Sequence, residues 1–172
     1  MIRYINWQPM LDMMNRYSWT HKSFCRASGV SYPTLRTWLN FEKVPTMSSL
    51  TKVCEILRCN PSKLFKFTDY EVQKGYEDRK DIHVNKDGKL TWTYSPLWDY
   101  MEKKIVEEKS EIADIYTLLG ADTEHFPERQ YIMPISLEKN VTVDTIHDIC
   151  KFLKVSPDWV VRMKPEHIEG IY

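Results

Sequence analysis

Residues 46–65, TMSSLTKVCEILRCNPSKLF, align without a gap on residues 142–161, TVDTIHDICKFLKVSPDWVV. Leu50 falls on Ile146, Val53 on Ile149, Cys54 on Cys150, Leu57 on Leu153 and Pro61 on Pro157, each 96 positions further on. Upstream the offset shrinks to 87, which carries Pro9, Leu11 and Met14 onto Pro96, Trp98 and Met101. A helical unit present twice, with length added inside one copy, predicts two similar domains. A solenoid would instead repeat many times at one period.

Working outward, the first unit reads as five short helices. Trp7, Met10, Leu11 and Met14 share one face of a helix running to about Tyr17. Thr20 is placed to cap a second helix ending at Ser28, with Phe24, Cys25 and Ala27 inward, and Gly29 supplies the positive φ of a helix end. Ser31 caps a third helix whose Pro33 lies in the first turn and whose Leu35, Trp38 and Leu39 form the buried stripe. A fourth covers about Ser48 to Leu57, and a short turn follows from Pro61 to Phe65.

The polar stretch Thr68 to Lys80 reads as a linker. After it, DIHVNKDGKLTWTY alternates Ile82, Val84, Leu90, Trp92 and Tyr94 around Asn85-Lys86-Asp87-Gly88, the pattern of a β-hairpin. The second unit then predicts helices over Pro96–Val106, Ser110–Leu119, a segment within Pro127–Met133, and Val143–Leu153, with a turn from Pro157. The chain is thus mainly α, with domains at 1–68 and 95–172 and a linker with a hairpin at 69–94.

The 172 residues carry 24 Lys/Arg and 24 Asp/Glu, a formal net charge of zero. The halves differ. Residues 1–75 hold 11 Lys/Arg against 5 Asp/Glu, a net of +6, and the remainder is therefore −6. A basic half beside an acidic one points to a polyanion partner for the first unit and another task for the second. MIRYINWQPM has no apolar signal region, and no apolar run approaches the ~20 residues of a membrane span, so a cytoplasmic protein is expected. Cys25, Cys54, Cys59 and Cys150 form no CxxC pair, and two of them occupy equivalent positions of the repeat, which suits reduced, buried side chains.

THKSFCRASGVSYPTLRTWLN, residues 20–40, resembles the helix–turn–helix of the lambda-repressor/Cro-like (XRE) family, and the resemblance extends over roughly Asn6 to Phe67. It departs at Cys25, where the family usually has alanine, and at His21, where a phosphate-binding glutamine is frequent. The resemblance implies a five-helix domain whose third helix enters the major groove of double-stranded DNA. Tyr32, Pro33, Thr34, Arg36, Thr37 and Asn40 are then the groove-facing candidates. Arg36 suits a guanine edge, Asn40 an adenine, and Thr37 a thymine methyl. His21, Lys22, Ser31 and Lys43 are placed for phosphates.

SPLWDYMEKK with EKNVTVDTIHDICKFLKVSPDW gives the second unit a resemblance to small Cro-like regulators of Gram-positive bacteria and their phages. Its centre diverges: Gly29 to Thr46 spans 17 positions, whereas Gly120 to Thr142 spans 22. Pro127 and Pro134 interrupt that stretch, and Asp122, Glu124 and Glu128 place negative charge where phosphates would lie. Arg129, Lys139 and Asn140 remain available to DNA, so Glu124, Glu128, Arg129, Gln130, Lys139 and Asn140 are candidate second-domain contacts, to a protein partner or a second subunit in preference to DNA. A homodimer is expected, because one helix–turn–helix spans only one half-site, although two units of one chain could instead pair with each other.

His147 and Cys150 stand one helical turn apart, and His125 could join them, but the fourth ligand and recognisable spacing of a zinc site are missing. No glycine-rich phosphate loop, nucleophile elbow or HExxH occurs, so no metal, cofactor or enzymatic activity is expected. The leading expectation is a sequence-specific DNA-binding transcriptional repressor of bacterial, phage or mobile-element origin. The alternative is a phage anti-defence (anti-CRISPR-like) inhibitor, whose second domain binds a protein while the first autoregulates.

Overall fold

The computed structural model describes residues 1–108 and 138–166. The first unit runs β1 (Ile5–Asn6), α1 (Gln8–Arg16), α2 (His21–Ser28), α3 (Tyr32–Leu39), α4 (Met47–Leu57), a 3₁₀ turn (Pro61–Lys63) and β2 (Lys66–Phe67). β1 and β2 pair antiparallel, Ile5 with Phe67 and Asn6 with Lys66, which ties the two ends of the unit together. Trp7, Met10, Met14, Phe24, Leu35, Trp38, Met47, Leu50, Val53, Leu64 and Phe65 fill the core. Trp7 links its layers, stacked 5.9 Å from Trp38 and edge-on to Phe65 at 5.4 Å. Ala27 is exposed and Ser28 takes the inward position instead. There the Ser28 hydroxyl accepts the Val30 N–H at 3.2 Å, which satisfies a backbone donor beyond the helix end.

The second unit comprises β3 (Leu90–Thr93), α5 (Ser95–Glu108), α6 (Val143–Leu153), a 3₁₀ turn (Pro157–Trp159) and β4 (Arg162–Pro165). The helices expected at Ser110–Leu119 and within Pro127–Met133 lie outside the described residues. β3 pairs antiparallel with β4, Trp92 with Met163 and Thr93 with Arg162. These pairs are Ile5–Phe67 and Asn6–Lys66 shifted by the two offsets of the sequence repeat. α4 and α6 both end on a left-handed residue that is not glycine, Arg58 at φ 51° and Lys154 at φ 57°, again equivalent positions.

Two expectations need correction. Residues 81–94 form no hairpin: Leu90–Thr93 turns away from Ile82 and Val84 and pairs instead with a strand some 70 residues later. Local alternation signals a strand but cannot name its partner, and here the unit-closing pair outcompetes the local turn. The Thr68–Lys80 stretch is likewise more than a linker. It lies across the second unit as a strap: Tyr70 OH donates to Val155 O at 2.7 Å, Gln73 Nε2 to Leu153 O at 2.8 Å, and Ser156 N–H to Tyr76 O at 2.9 Å. The two orphan carbonyls of Leu153 and Lys154 at the end of α6 are both met by Gln73, through its side chain and backbone.

The units also meet directly. Thr46 and Thr142 form an antiparallel bridge, flanked by Met47 N–H to Val141 O at 2.8 Å and Val143 N–H to Pro45 O at 2.9 Å. Nearby, His147 is buried beneath the first unit, stacked on Tyr4 at 3.7 Å, with Nε2 2.8 Å from Asp69 and Nδ1 3.2 Å from Asp148. Both ring nitrogens are thereby engaged by carboxylates. All four cysteines are free and buried. Among the described residues no helix is long and apolar enough to cross a membrane.

The His147 clamp gives folding a pH dependence. Burial alone pushes the imidazole pKa down, but Asp148 and Asp69 outweigh it and the net displacement is upward. Burial pushes Asp69 up, and His147 and Lys151 pull it below the ordinary carboxylate range, so it stays ionised near neutrality. A raised imidazole pKa contributes stability that is complete below the unfolded value of about 6.5 and is lost as pH climbs through the folded value. The melting temperature should therefore fall as pH rises above about 6.5, followed by circular dichroism. His147→Gln should be about 1–3 kcal/mol less stable at pH 6 and show a flatter profile. An unchanged slope in that variant would place the titration elsewhere.

Candidate nucleic-acid interface

The presentation of α2 and α3 begins with their caps. Thr20 and Ser23 form a reciprocal box, each hydroxyl accepting the other's backbone N–H at 3.0 Å. Gly29, at φ 79°, closes α2 in the left-handed region where a side chain would be strained. Two residues later Ser31 accepts the Thr34 N–H at 3.2 Å and starts α3. Val30 between them is buried and fixes the turn to the core.

With Leu35 and Trp38 inward, the 3.6-residue period turns Tyr32, Pro33, Thr34, Arg36 and Asn40 to solvent, and Thr37 lies at the half-buried edge. His21, Lys22, Ser31 and Lys43 are exposed as well. Tyr32 is the hinge of this surface, 47 % exposed, with the Arg36 guanidinium 5.9 Å above its ring and His21 6.4 Å away. A guanidinium over an aromatic face can still present its N–H edge to a planar acceptor pair. Among the described residues Arg36 makes no salt bridge.

The hydroxyls of this helix are spent locally. Thr37 Oγ1 donates to Thr34 O at 2.7 Å, and Ser31 and Thr34 share a hydrogen bond of 2.7 Å. Thr37 can therefore offer a methyl rather than a donor, as contact with a thymine methyl requires. Asn40 is the C-terminal residue of the turn, its N–H returning to Arg36 O at 2.9 Å, so its side-chain amide is left outward.

Beyond α3 the chain folds back through Phe41 at φ 58°, and the Glu42 and Lys43 amides both donate to Thr37 O. That return opens a cleft of about 330 Å³ between α3 and the start of α4, lined by Pro33, Thr34, Thr37, Lys43, Pro45 and Ser49 among others. Lys43, a phosphate candidate by its place in the motif, thus borders a cleft that no local sequence signal marks.

The second unit's candidates separate. Glu124, Glu128, Arg129 and Gln130 lie outside the described residues. Lys139 is exposed, and its carbonyl accepts Tyr94 OH at 2.9 Å. Asn140 points to the first unit: its Oδ1 accepts the Ser48 N–H at 2.8 Å and its Nδ2 donates to Ser48 Oγ at 3.1 Å.

Residues 10–69 match the Cro/C1-type HTH DNA-binding domain family. Comparison with curated proteins and with solved structures returned no match for the chain. Over those residues the first unit is similar to Cro/C1-type helix–turn–helix DNA-binding domains. The match ends two residues past β2 and does not reach the second unit.

Within this surface, base reading and phosphate binding should be separable. Arg36→Ala should cost about 1–3 kcal/mol at a preferred site and relax base preference at one position. Lys22→Ala should weaken all duplexes alike and flatten the salt dependence, both measured by fluorescence anisotropy. Equal, sequence-independent losses from the two variants would remove Arg36 from the set that reads bases.

Proposed function

We propose that this chain is a sequence-specific transcriptional regulator that represses by occupying its operator. The observation that carries the reading is the outward row of α3, Tyr32, Pro33, Arg36, Thr37 and Asn40, displayed on a Cro/C1-type helix–turn–helix in the basic half of the chain. Phosphate contacts from Lys22, Lys43 and His21 supply affinity and register, and α3 supplies specificity. Bound at a promoter, a body of this size blocks polymerase by steric exclusion, and no cofactor enters the mechanism. The second unit is a diverged copy of the same Cro-like scaffold, a reading supported by the equivalent strand pairs and left-handed helix ends of the two units.

Selection by the full chain from a pool of random duplexes tests this directly. A single short motif should be enriched, and its affinity should fall steeply as salt rises, with a slope of about −0.9 per neutralised phosphate. Failure to enrich any motif, or binding indifferent to salt, would remove DNA reading as the function.

A further inference from the structure

The contact between the units is made by equivalent residues. Thr142 is Thr46 shifted by 96, so the bridge pairs a residue with its own duplicate. The two flanking hydrogen bonds, Met47 to Val141 and Val143 to Pro45, exchange with each other under the same shift. Reciprocity of this kind is the signature of an isologous, two-fold interface. The two 3₁₀ turns, which carry the equivalent residues Ser62 and Asp158, also pack against each other across it. Two such points define an internal pseudo-two-fold axis.

The residues on that axis favour unlike over like pairing. Asp158 is 1 % exposed, with Ser62 beside it and the Arg79 N–H 2.8 Å from Oδ2. A pair of second units would set two buried carboxylates against each other. A pair of first units would lose the Asn140–Ser48 bonds, because the position equivalent to Asn140 is Val44. The axis also borders the DNA-facing surface, since Pro45, Thr46 and Ser49 line the cleft beside α3.

We infer that one chain, and not a homodimer, is the DNA-binding assembly. The second unit occupies the dyad surface of the first, and a single chain engages an operator without palindromic symmetry. This rests on the proposed reading of DNA by α3. The Arg36-Thr37 reading sequence occurs once per chain, so a one-chain complex presents it to one half of the site only. A two-chain complex would present it twice, related by symmetry, and would select inverted half-sites about one helical turn apart.

Sedimentation equilibrium of the full chain at micromolar concentration should give the 20.6 kDa mass of one chain. With a duplex recovered from the random pool, the complex should contain one chain, and the recovered motif should lack inverted symmetry. Thr46→Cys combined with Thr142→Cys provides a second readout. The paired residues sit at a non-hydrogen-bonded antiparallel position, where Cα atoms are about 4.5 Å apart and a disulfide is sterically feasible. Oxidation should cross-link the variant within one chain, so that it migrates as a monomer on a non-reducing gel. A free mass of twice one chain, two chains on a palindromic duplex, or a cross-link between chains would overturn the inference while leaving DNA reading intact. Failure to recover any duplex would overturn the proposed function and the one-chain complex together.

Discussion

The first amides of helices α4 and α6 have no partners within their own helices, as at any helix N-terminus. In this chain each finds the carbonyl that precedes the other helix, Met47 to Val141 and Val143 to Pro45. Thr46 adds a side-chain cap within α4, accepting the Ser49 N–H at 3.3 Å, whereas Thr142 makes no equivalent bond in α6. The start of α6 therefore leans on the first unit more than the start of α4 leans on the second. Each such bond contributes about 0.5–1.5 kcal/mol net, but exposing the paired edges would leave both helices short of a partner at once.

Much of the remaining architecture follows from that seam. Once α4 and α6 start side by side, β3 lies against α4, and first-unit side chains satisfy the backbone of the second sheet. Glu55 accepts the Leu90 N–H at 3.0 Å and Asn60 the Met163 N–H at 2.8 Å. In return, the strap after β2 is bonded along the end of α6, and Asp69 on that strap holds both His147 and Lys151. Backbone groups satisfied across the seam cannot be released without cost, so the units move as one where they touch. This matters for α3, whose cleft shares Thr46 with the seam: the reading surface is positioned relative to the second unit, not merely tethered to it.

How much of this could be read beforehand depended on whether the signal was local. Gly29, Ser31, Pro33 and the period of Leu35 and Trp38 each act within one helix or turn, and the structure places them as those residue types require. The left-handed ends at Arg58 and Lys154 carried no such mark, because a residue with a Cβ can be held there by packing that the sequence does not display. The hairpin reading failed for a related reason. Asn85–Gly88 does turn, with Gly88 at φ 89° and Arg58 donating to its carbonyl at 2.7 Å, but the turn is not followed by local pairing. The duplication held the better clue, since an offset of 87 sets Trp92–Thr93 on Ile5–Asn6. Asn140, a candidate second-domain contact by sequence, turns instead to the first unit. Its acceptor is in demand at an uncapped amide 92 residues away, and only the fold brings the two together.

The charge split takes on a physical role once the units are joined. A body carrying +6 in one part and −6 in the other has no net attraction to a polyanion at long range. At about 0.15 M salt the screening length is about 8 Å, so the charges nearest the DNA dominate at contact. Approach with α3 toward the duplex is then favoured, and approach with the acidic part is repelled. The zero sum also limits non-specific binding, which is the sequence-independent electrostatic share of affinity and would compete with the operator throughout a genome. A basic domain alone would bind any duplex more tightly and discriminate less. On the proposed reading, joining it to a part of opposite net charge would leave the base contacts of α3 untouched while trimming the phosphate-driven background, and so would raise the ratio that decides whether a site is found.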